Sequence, residues 1–301
     1  MTPSTPDTHA RPIIDRDLAV SHRLRWAQRD MGRDANFLHA YSAEELVDRI
    51  TVTKRQFDRC ALVDDRSDHL SARLRGLSHV RGVVAMAPDA SLLSGDRLGI
   101  VAEEEAFPFE AGSLDLVMSN LTLQLTNDTP GTLIQIRRAL KPDGLFSAAL
   151  LGGETLLELR QSLLAAEAEL SGGVSPRVVP FPDIRDLGAL LQRAGFALPV
   201  TDTDRLTVRY ATLFDLMTDL RAMGWANMLS ERTRKPTTKS FFIRAAEIYA
   251  ERFSDPDGRI RATFDFIYLS GWAPHESQQE PARRGSAEVS MKDVLSPGGP
   301  V

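Results

Sequence analysis

The sequence has a single cysteine and no long apolar run, and each absence excludes a class of protein. One thiol, Cys60, cannot form an internal disulfide, and a chain so poor in cysteine is typical of a reducing compartment. Because Cys60 lies in the apolar stretch 60–63, we predict that it is a small core residue and not a nucleophile. No stretch reaches the roughly 18 consecutive apolar residues of a transmembrane helix, so no membrane span is expected.

An excess of positive charge is also missing. Lys and Arg number 36 against 41 Asp and Glu, and the net charge of -5 provides no general attraction for nucleic acid or an anionic membrane. Residues 1–12 lack the apolar segment of a secretory signal and contain too few arginines for a mitochondrial presequence. We therefore predict a disordered leader at 1–12, a loose tail at 295–301 and a cytoplasmic protein.

What the sequence does contain is an alternation of short apolar runs with helical stretches. The apolar runs predict strands at 60–63, 82–86, 98–102, 114–119 and 145–150. Strands separated by helices are typical of a doubly wound α/β sheet in which the strands run parallel. The fold class predicted is therefore α/β.

Helical additions are predicted on both sides of this core. Residues 13–57 form an N-terminal helical segment, in which Ser42 and Glu45 have the spacing of a capping box for a helix over 43–56. The main domain is predicted to span 58–294. After the fifth strand, further helices are predicted at 155–170, 184–194, 213–223 and 241–252. Two late strands are predicted at 200–210 and 262–272, and the second of them is expected to be antiparallel.

One segment carries a family resemblance. It leads from Pro108 and Phe109 through 113–120 to Lys141-Pro142-Asp143-Gly144, which is predicted to be a turn before the fifth strand, and it resembles the fourth and fifth strands of class I S-adenosylmethionine-dependent methyltransferases. That resemblance implies a Rossmann-like sandwich with a mostly parallel sheet. It also implies S-adenosylmethionine as the cofactor, bound beyond the carboxyl ends of the strands.

Several motifs lie outside the generic fold and indicate a more specific family. They are Asp15-Arg16-Asp17-Leu18, Gly152-Gly153-Glu154-Thr155-Leu156, Gly172-Gly173, Asp186-Leu187-Gly188, Arg193-Ala194-Gly195-Phe196, Asp202-Thr203-Asp204, Met223-Gly224 and His275-Glu276-Ser277-Gln278. These motifs resemble those of the complex I assembly factor family, whose eukaryotic members hydroxylate an arginine, and more distantly those of malonyl-carrier-protein methyltransferases. The resemblance implies a protein partner, a subunit of respiratory complex I, and the negative net charge favours no nucleic acid as a partner.

The expected cofactor loop is where the sequence departs from this family. The three glycines of its Gly-x-Gly-x-Gly loop are replaced by Asp64, Arg66 and Asp68. Two acids there would repel the methionine carboxylate of the cofactor, and a side chain disfavours positive φ. Met86 stands where an acid should hold the ribose hydroxyls, and Asp89 follows three residues later.

Other positions near the expected site agree only in part with the family pattern. Glu103 stands where the family's acid approaches the adenine, although an acidic run at 103–105 is also typical of a solvated turn. Gln124-Leu125 replaces the His-Trp pair of close relatives. The adjacent acids at 64 and 65 favour a solvent-facing loop over a metal site.

The candidate cofactor-binding residues are therefore Asp64, Met86, Glu103 and Asn120, and no catalytic residue is assigned. With Asp65 and Gly152 they are expected to form the rim of the deepest pocket. S-adenosylmethionine is implied by the resemblance, and the lost glycines leave open that its binding was lost. Three functions stay open: an enzyme that methylates or hydroxylates a protein in complex I assembly, a non-catalytic assembly factor, and a carrier-protein carboxyl methyltransferase.

Overall fold

The centre of the protein is a seven-stranded sheet with the strand order β3-β2-β1-β4-β5-β7-β6. The computed structural model describes residues 11–28, 36–63, 68–93 and 98–279. Its strands are β1 Cys60–Val63, β2 Val83–Ala87, β3 Gly99–Val101, β4 Leu114–Asn120, β5 Leu140–Gly152, β6 Ala197–Tyr210 and β7 Ile260–Trp272.

Neighbouring strands from β3 to β5 pair in parallel, whereas β7 pairs antiparallel with both β5 and β6. The predicted α/β class, the mostly parallel sheet and the late antiparallel strand are thus confirmed. All four residues of β1 are buried, as is usual where helices cover both faces of a parallel sheet.

Helices cover both faces of the sheet and bury two apolar clusters. Cys60 and Leu62 of β1 belong to one cluster, and Ala61 and Val63 belong to the other, because successive side chains of a strand point to opposite faces. The helices are α1 Arg16–Gln28, α2 Phe37–Thr51, α3 His69–Arg75, α4 Thr129–Ala139, α5 Leu157–Ser171, α6 Ile184–Arg193, α7 Leu213–Ala222 and α8 Lys239–Phe253.

The prediction that Ser42 caps a helix over 43–56 was wrong. Helix α2 starts at Phe37, and Ser42 lies fully buried inside it. The hydroxyl of Ser42 lies 2.9 Å from the carbonyl oxygen of Leu38 and 2.6 Å from Oδ1 of Asn120. The helix begins earlier than predicted because Leu38, which is completely buried, packs in the main apolar cluster.

The sequence Lys141-Pro142-Asp143-Gly144 was predicted to be a turn before the fifth strand, and it lies within the extended strand β5. Asp143 has a φ of 62°, and the register with β4 shifts between Leu114 and Leu116. The backbone of this segment pairs with Ala273 after the end of β7. The backbone therefore has a turn-like residue at Asp143, but pairing with the segment after β7 extends strand β5 across this position.

Cys60 is completely buried, and burial raises the pKa of its thiol to about 12. A thiol of that kind stays protonated near neutral pH and is a poor nucleophile. Among the described helices, none combines the length and the apolar character needed to cross a membrane.

Candidate functional site

The loops that follow β1 to β5 all leave the sheet at its carboxyl edge. In doubly wound sheets, ligands bind in the crevice outside this edge. The strands end at Val63, Ala87, Val101, Asn120 and Gly152, so the candidate residues predicted from the sequence stand at or directly after these positions.

The loop after β1 is described only at its last residue. Asp64, Asp65 and Arg66 lie outside the described residues. Asp68, directly before α3, has a φ of 58°. The sequence analysis expected a side chain to disfavour such a conformation, yet Asp is one of the few residues enriched in it. Asp68 therefore combines a positive φ with a carboxylate at the start of a helix.

Met86, at the position expected to hold the ribose, is part of the core. Its side chain is 1% exposed and packs with Val63 and Phe107. A thioether cannot hold two hydroxyl groups as a carboxylate would. The nearby Asp89 caps the short 3-10 helix Ala90–Leu92, and its Oδ1 accepts hydrogen bonds from the hydroxyl and the backbone N–H of Ser91 at 2.6 and 2.8 Å. These bonds hold the pKa of Asp89 below its usual value.

The acidic run after β3 is not a solvated turn, which corrects that alternative. Glu104 is 1% exposed, and its Oε1 accepts a hydrogen bond of 2.5 Å from Arg23, which is equally buried. Arg16 bonds to both Glu104 and Glu103, the second at 2.5 Å. Arg16 also donates to the carbonyl oxygen of Leu125 at 3.0 Å. These contacts hold helix α1 against the loops that follow β3 and β4.

Glu103, the candidate for the adenine contact, thus already has a cationic partner in Arg16. Its side chain is about half exposed, so it stays accessible on one side. Its role in cofactor binding remains a prediction.

Asn120, at the end of β4, is 3% exposed, and its amide is used by helix α2. Its Nδ2 donates to the carbonyl oxygen of His39 at 2.9 Å, and its Oδ1 lies 2.6 Å from the Ser42 hydroxyl. Both ends of the amide therefore connect α2 to the sheet edge. Its proposed contact with a cofactor remains a prediction.

A pocket with a cavity volume of about 50 Å³ opens at the ends of β4 and β5. Its lining does not include Met86, Glu103, Asn120 or Gly152, the described members of the expected rim. The pocket is mostly apolar and is lined by Gln124, Leu125, Leu151, Leu156, Leu159, Arg177, Val178, Val179, Phe181, Leu220, Trp225, Ala226, Asn227 and Met228.

A more open groove with a volume of about 300 Å³ adjoins this pocket. Gln124, Val179 and Phe181 line both spaces, so these three side chains form their common wall. Gly152, at the end of β5, leaves room for this arrangement, because a Cβ there would lie 2.8 Å from the carbonyl oxygen of Pro182.

Two polar atoms of the pocket lining, Gln124 Oε1 and Trp225 Nε1, are buried without a hydrogen-bond partner. The sequence analysis noted Gln124 only as a departure from a family pair and expected Trp225 to pack. Gln124 could have been recognised as the one amide side chain of the otherwise mostly apolar run 121–125. The pocket itself could not be predicted in this way, because the residues that line it are far apart in the chain.

The sheet order, the helices on both faces and the crevice at the carboxyl edge define a class I methyltransferase fold. Residues 68–148 match the methyltransferase domain family. A Bacillus halodurans protein assigned as a methyltransferase has the same fold, with a TM-score of 0.54 and 14% identity over 76% of this chain and 97% of that one. YcgJ from Bacillus subtilis is similar, with a TM-score of 0.53 and 10% identity over 77% and 99%.

Curated proteins with similar sequences indicate a more specific group of relatives than the fold does. The chain is 44% identical over 199 residues to the mitochondrial arginine-hydroxylase NDUFAF5 of Danio rerio and 45% identical over 197 residues to that of Homo sapiens. These alignments cover 66% and 65% of this chain and 62% and 57% of the relatives. A malonyl-[acyl-carrier protein] O-methyltransferase of Gallionella capsiferriformans is 35% identical over 178 residues, 59% of each protein.

The resemblance predicted from the sequence is confirmed by these matches. The chain spans less than two thirds of the length of the three curated relatives just described.

The described residues fit S-adenosylmethionine poorly. Near the end of β2 the buried Met86 stands where the resemblance implies a carboxylate, and before α3 Asp68 has a carboxylate where the resemblance implies a glycine. Across the described ranges, no cluster of three His, Cys, Asp or Glu side chains could hold a metal ion.

Proposed function

We propose that this protein acts on a protein subunit during the assembly of respiratory complex I, as an enzyme of the methyltransferase or hydroxylase type. The pocket at the ends of β4 and β5 carries the proposal, since it offers a largely apolar cavity of about 50 Å³ next to a larger, open groove. A groove and a pocket of this kind suit an extended segment with one side chain inserted. The names of the NDUFAF5 relatives support an assembly role.

The second candidate is an assembly factor without catalysis. Met86, Asp68 and the Arg16–Glu103 ion pair favour it, because all three reduce the fit of the cofactor. The carrier-protein alternative is supported by the 35% identical relative alone, since no residue of the site is dedicated to a thioester. A cytoplasmic location remains a prediction from the sequence.

Cofactor binding gives the first test. We expect S-adenosylmethionine to bind more weakly than micromolar in calorimetry, because acids replace the cradling glycines. Restoring glycine in a triple variant, Asp64→Gly, Arg66→Gly and Asp68→Gly, should raise the affinity by about tenfold, the equivalent of one charge-assisted hydrogen bond. Micromolar binding by the unchanged protein would contradict the loss of the cofactor.

Pocket filling separates the two candidates. In cells that lack the gene, complementation with Ala226→Trp should leave complex I unassembled and its subunits without a mass gain of one methyl group or one oxygen. Ala226 lines the pocket, whereas Ala250 is exposed on α8, so Ala250→Trp serves as the matched control. Normal assembly with a stable Ala226→Trp protein would instead favour the non-catalytic candidate.

A further inference from the structure

The amino edge of the sheet, at which β1 to β5 begin, carries an excess of positive charge beside β1 and β2. Two segments lead into these strands, 52–59 before β1 and 75–82 before β2. They contain five basic side chains and one acid, whereas acids outnumber basic residues in the whole chain. The basic residues are Lys54, Arg55, Arg59, Arg75 and Arg81, all of them exposed, and the acid is Asp58.

Backbone contacts place the two segments side by side. The N–H of Phe57 donates to the carbonyl oxygen of His79 at 2.8 Å, and the N–H of Arg81 donates to the carbonyl oxygen of Phe57 at 2.7 Å. Nε2 of His79 also lies 3.2 Å from the carbonyl oxygen of Ile50, in the last turn of α2. The basic side chains of both segments therefore belong to one surface.

Most of this charge is not neutralised within the described part of the protein. Arg55 pairs with Asp143, and Nη1 of Arg81 lies 3.7 Å from Oδ1 of Asp58. Among the described residues, no carboxylate pairs with the other three basic side chains, Lys54, Arg59 and Arg75. The dipole of α3 favours a cation in its last turn, but this accounts for Arg75 alone. The surface therefore presents cations that an external anion can reach.

An apolar side chain on the same surface indicates what kind of anion fits. Val52, directly after α2, is 79% exposed. An exposed apolar group beside several cations is typical of binding at the interface of an anionic membrane. Single-stranded nucleic acid would instead favour exposed aromatic rings for stacking, and Phe57, the aromatic residue of the two segments, is buried.

The opposite edge of the sheet carries the contrary charge. Asp68 precedes α3, Asp89 follows β2, and the acidic run 103–105 follows β3. An anionic surface therefore attracts the amino edge and repels the carboxyl edge. This polarity orients the protein with its pocket away from such a surface.

We propose that the amino edge at β1 and β2 binds an anionic phospholipid surface. Val52 enters the interface, and the five basic side chains of 52–59 and 75–82 face the phosphate groups. The pocket at the carboxyl edge then points into solution, where a protein partner can reach it. The inference goes beyond the proposed function and does not depend on it, since its test needs neither a cofactor nor a partner protein.

Sedimentation of the full chain with lipid vesicles at low salt tests the proposal. Vesicles of equal parts phosphatidylcholine and phosphatidylglycerol should bind at least about tenfold more tightly than vesicles of phosphatidylcholine alone, because each cation near an anionic surface strengthens binding by about fivefold. Added salt should weaken this binding. No preference for the anionic vesicles, or binding of polyuridylate RNA in their place, would overturn the proposal.

Two double variants locate the surface. Lys54→Gln with Arg75→Gln should weaken binding to the anionic vesicles by about 25-fold, at about fivefold for each cation. Arg185 at the start of α6 and Lys235 before α8 are exposed, so Lys235→Gln with Arg185→Gln is the matched control and should leave binding nearly unchanged. Equal losses in the two double variants would mean that the amino edge is not the binding surface.

Val52→Cys reports the contact itself. Cys60 is completely buried, so an environment-sensitive dye reacts selectively at position 52. Its emission should shift to shorter wavelength with the anionic vesicles and stay unchanged with phosphatidylcholine alone. Unchanged emission while the labelled protein sediments with the anionic vesicles would place the contact elsewhere and overturn the proposal. This measurement also decides the matter if the double variant at 54 and 75 fails to fold.

Discussion

The two sides of the sheet are built differently. On the side that would hold a nucleotide, β1, β2 and β3 have four, five and three residues, and β3 is partly exposed. On the other side β5, β7 and β6 have 13, 13 and 14 residues; β7 pairs with β6 along nearly its whole length and with β5 over 145–152. The long strands extend the carboxyl edge and support the apolar pocket at its end.

The loops of the two sides are held by different combinations of contacts. Ion pairs hold α1 against the loop after β3, through Arg16 and Arg23 on Glu104. On the pocket side Leu151, Leu156 and Leu159 belong to the apolar lining, and Arg205 pairs with Glu154 and Asp265 beside the loop after β5. The replaced glycines and Met86 fall on the β1–β3 side, whereas Gln124-Leu125 and several of the family-specific motifs fall on the other side.

The largest expected effect is the loss of the buried acid that fastens α1. Glu104→Gln leaves the positive charge of Arg23 buried with a neutral partner, so we expect the free energy of unfolding to fall by about 3 kcal/mol. Glu103→Gln is the matched control, since Glu103 is 46% exposed and its pair with Arg16 should contribute less than about 1 kcal/mol. Urea unfolding measures both. Equal losses in the two variants would show that burial of the ion pair is not what stabilises this side.

A smaller effect is expected where β5 meets the pocket loop. A Cβ on Gly152 would lie 2.1 Å from Cδ1 of Ile267 and 2.8 Å from the carbonyl oxygen of Pro182. Because the second neighbour is backbone, Gly152→Ala should cost about 2 kcal/mol in urea unfolding and displace the loop that lines the groove. Gly173 has no atom within 4 Å of such a Cβ, so Gly173→Ala is the control. A loss no larger than that of the control would mean that the loop can move without cost.

The fold could be predicted from the sequence because its signals are local. Apolar runs separated by helical stretches gave the order of β1 to β5, and the alternation over 262–272 indicated the last strand. The start of α2 could not be predicted in this way. Ser42 has the pattern of a cap, but the burial of Leu38 on the sheet decided the helix boundary.

The candidate site was less accessible to prediction because its contacts are long-range. Arg23 and Glu104 are 81 residues apart in the sequence, and nothing in the acidic run at 103–105 indicates a buried partner. The positive φ of Asp68 could not be predicted either, since Asp only tolerates a conformation that glycine favours. Gln124 and Trp225, which line one pocket, are about a hundred residues apart in the chain.

The smallest expected effect concerns the pH dependence of α1. His22 is half-buried, and its Nδ1 is buried without a hydrogen-bond partner. Burial, followed by the charges of Arg25 and Arg232 and opposed by Asp15, lowers the pKa of His22 from 6.5 to about 4. The unfolded chain therefore binds more protons than the folded protein between these two values.

Keeping His22 neutral therefore contributes to the free energy of unfolding fully above pH 6.5, and this contribution is lost as the pH falls towards 4. We expect a loss of about 1 kcal/mol between pH 7 and pH 5, reduced from the full linkage value because solvent screens a half-buried ring. His22→Gln should remove this part of the pH dependence in urea unfolding, whereas His69→Gln, at an exposed ring, should keep it. Identical pH dependence in the unchanged protein and His22→Gln would show that α1 does not bury this imidazole in solution. The ion pairs of Arg16 and Arg23 would then have to hold α1 over the β1–β3 side without support from His22.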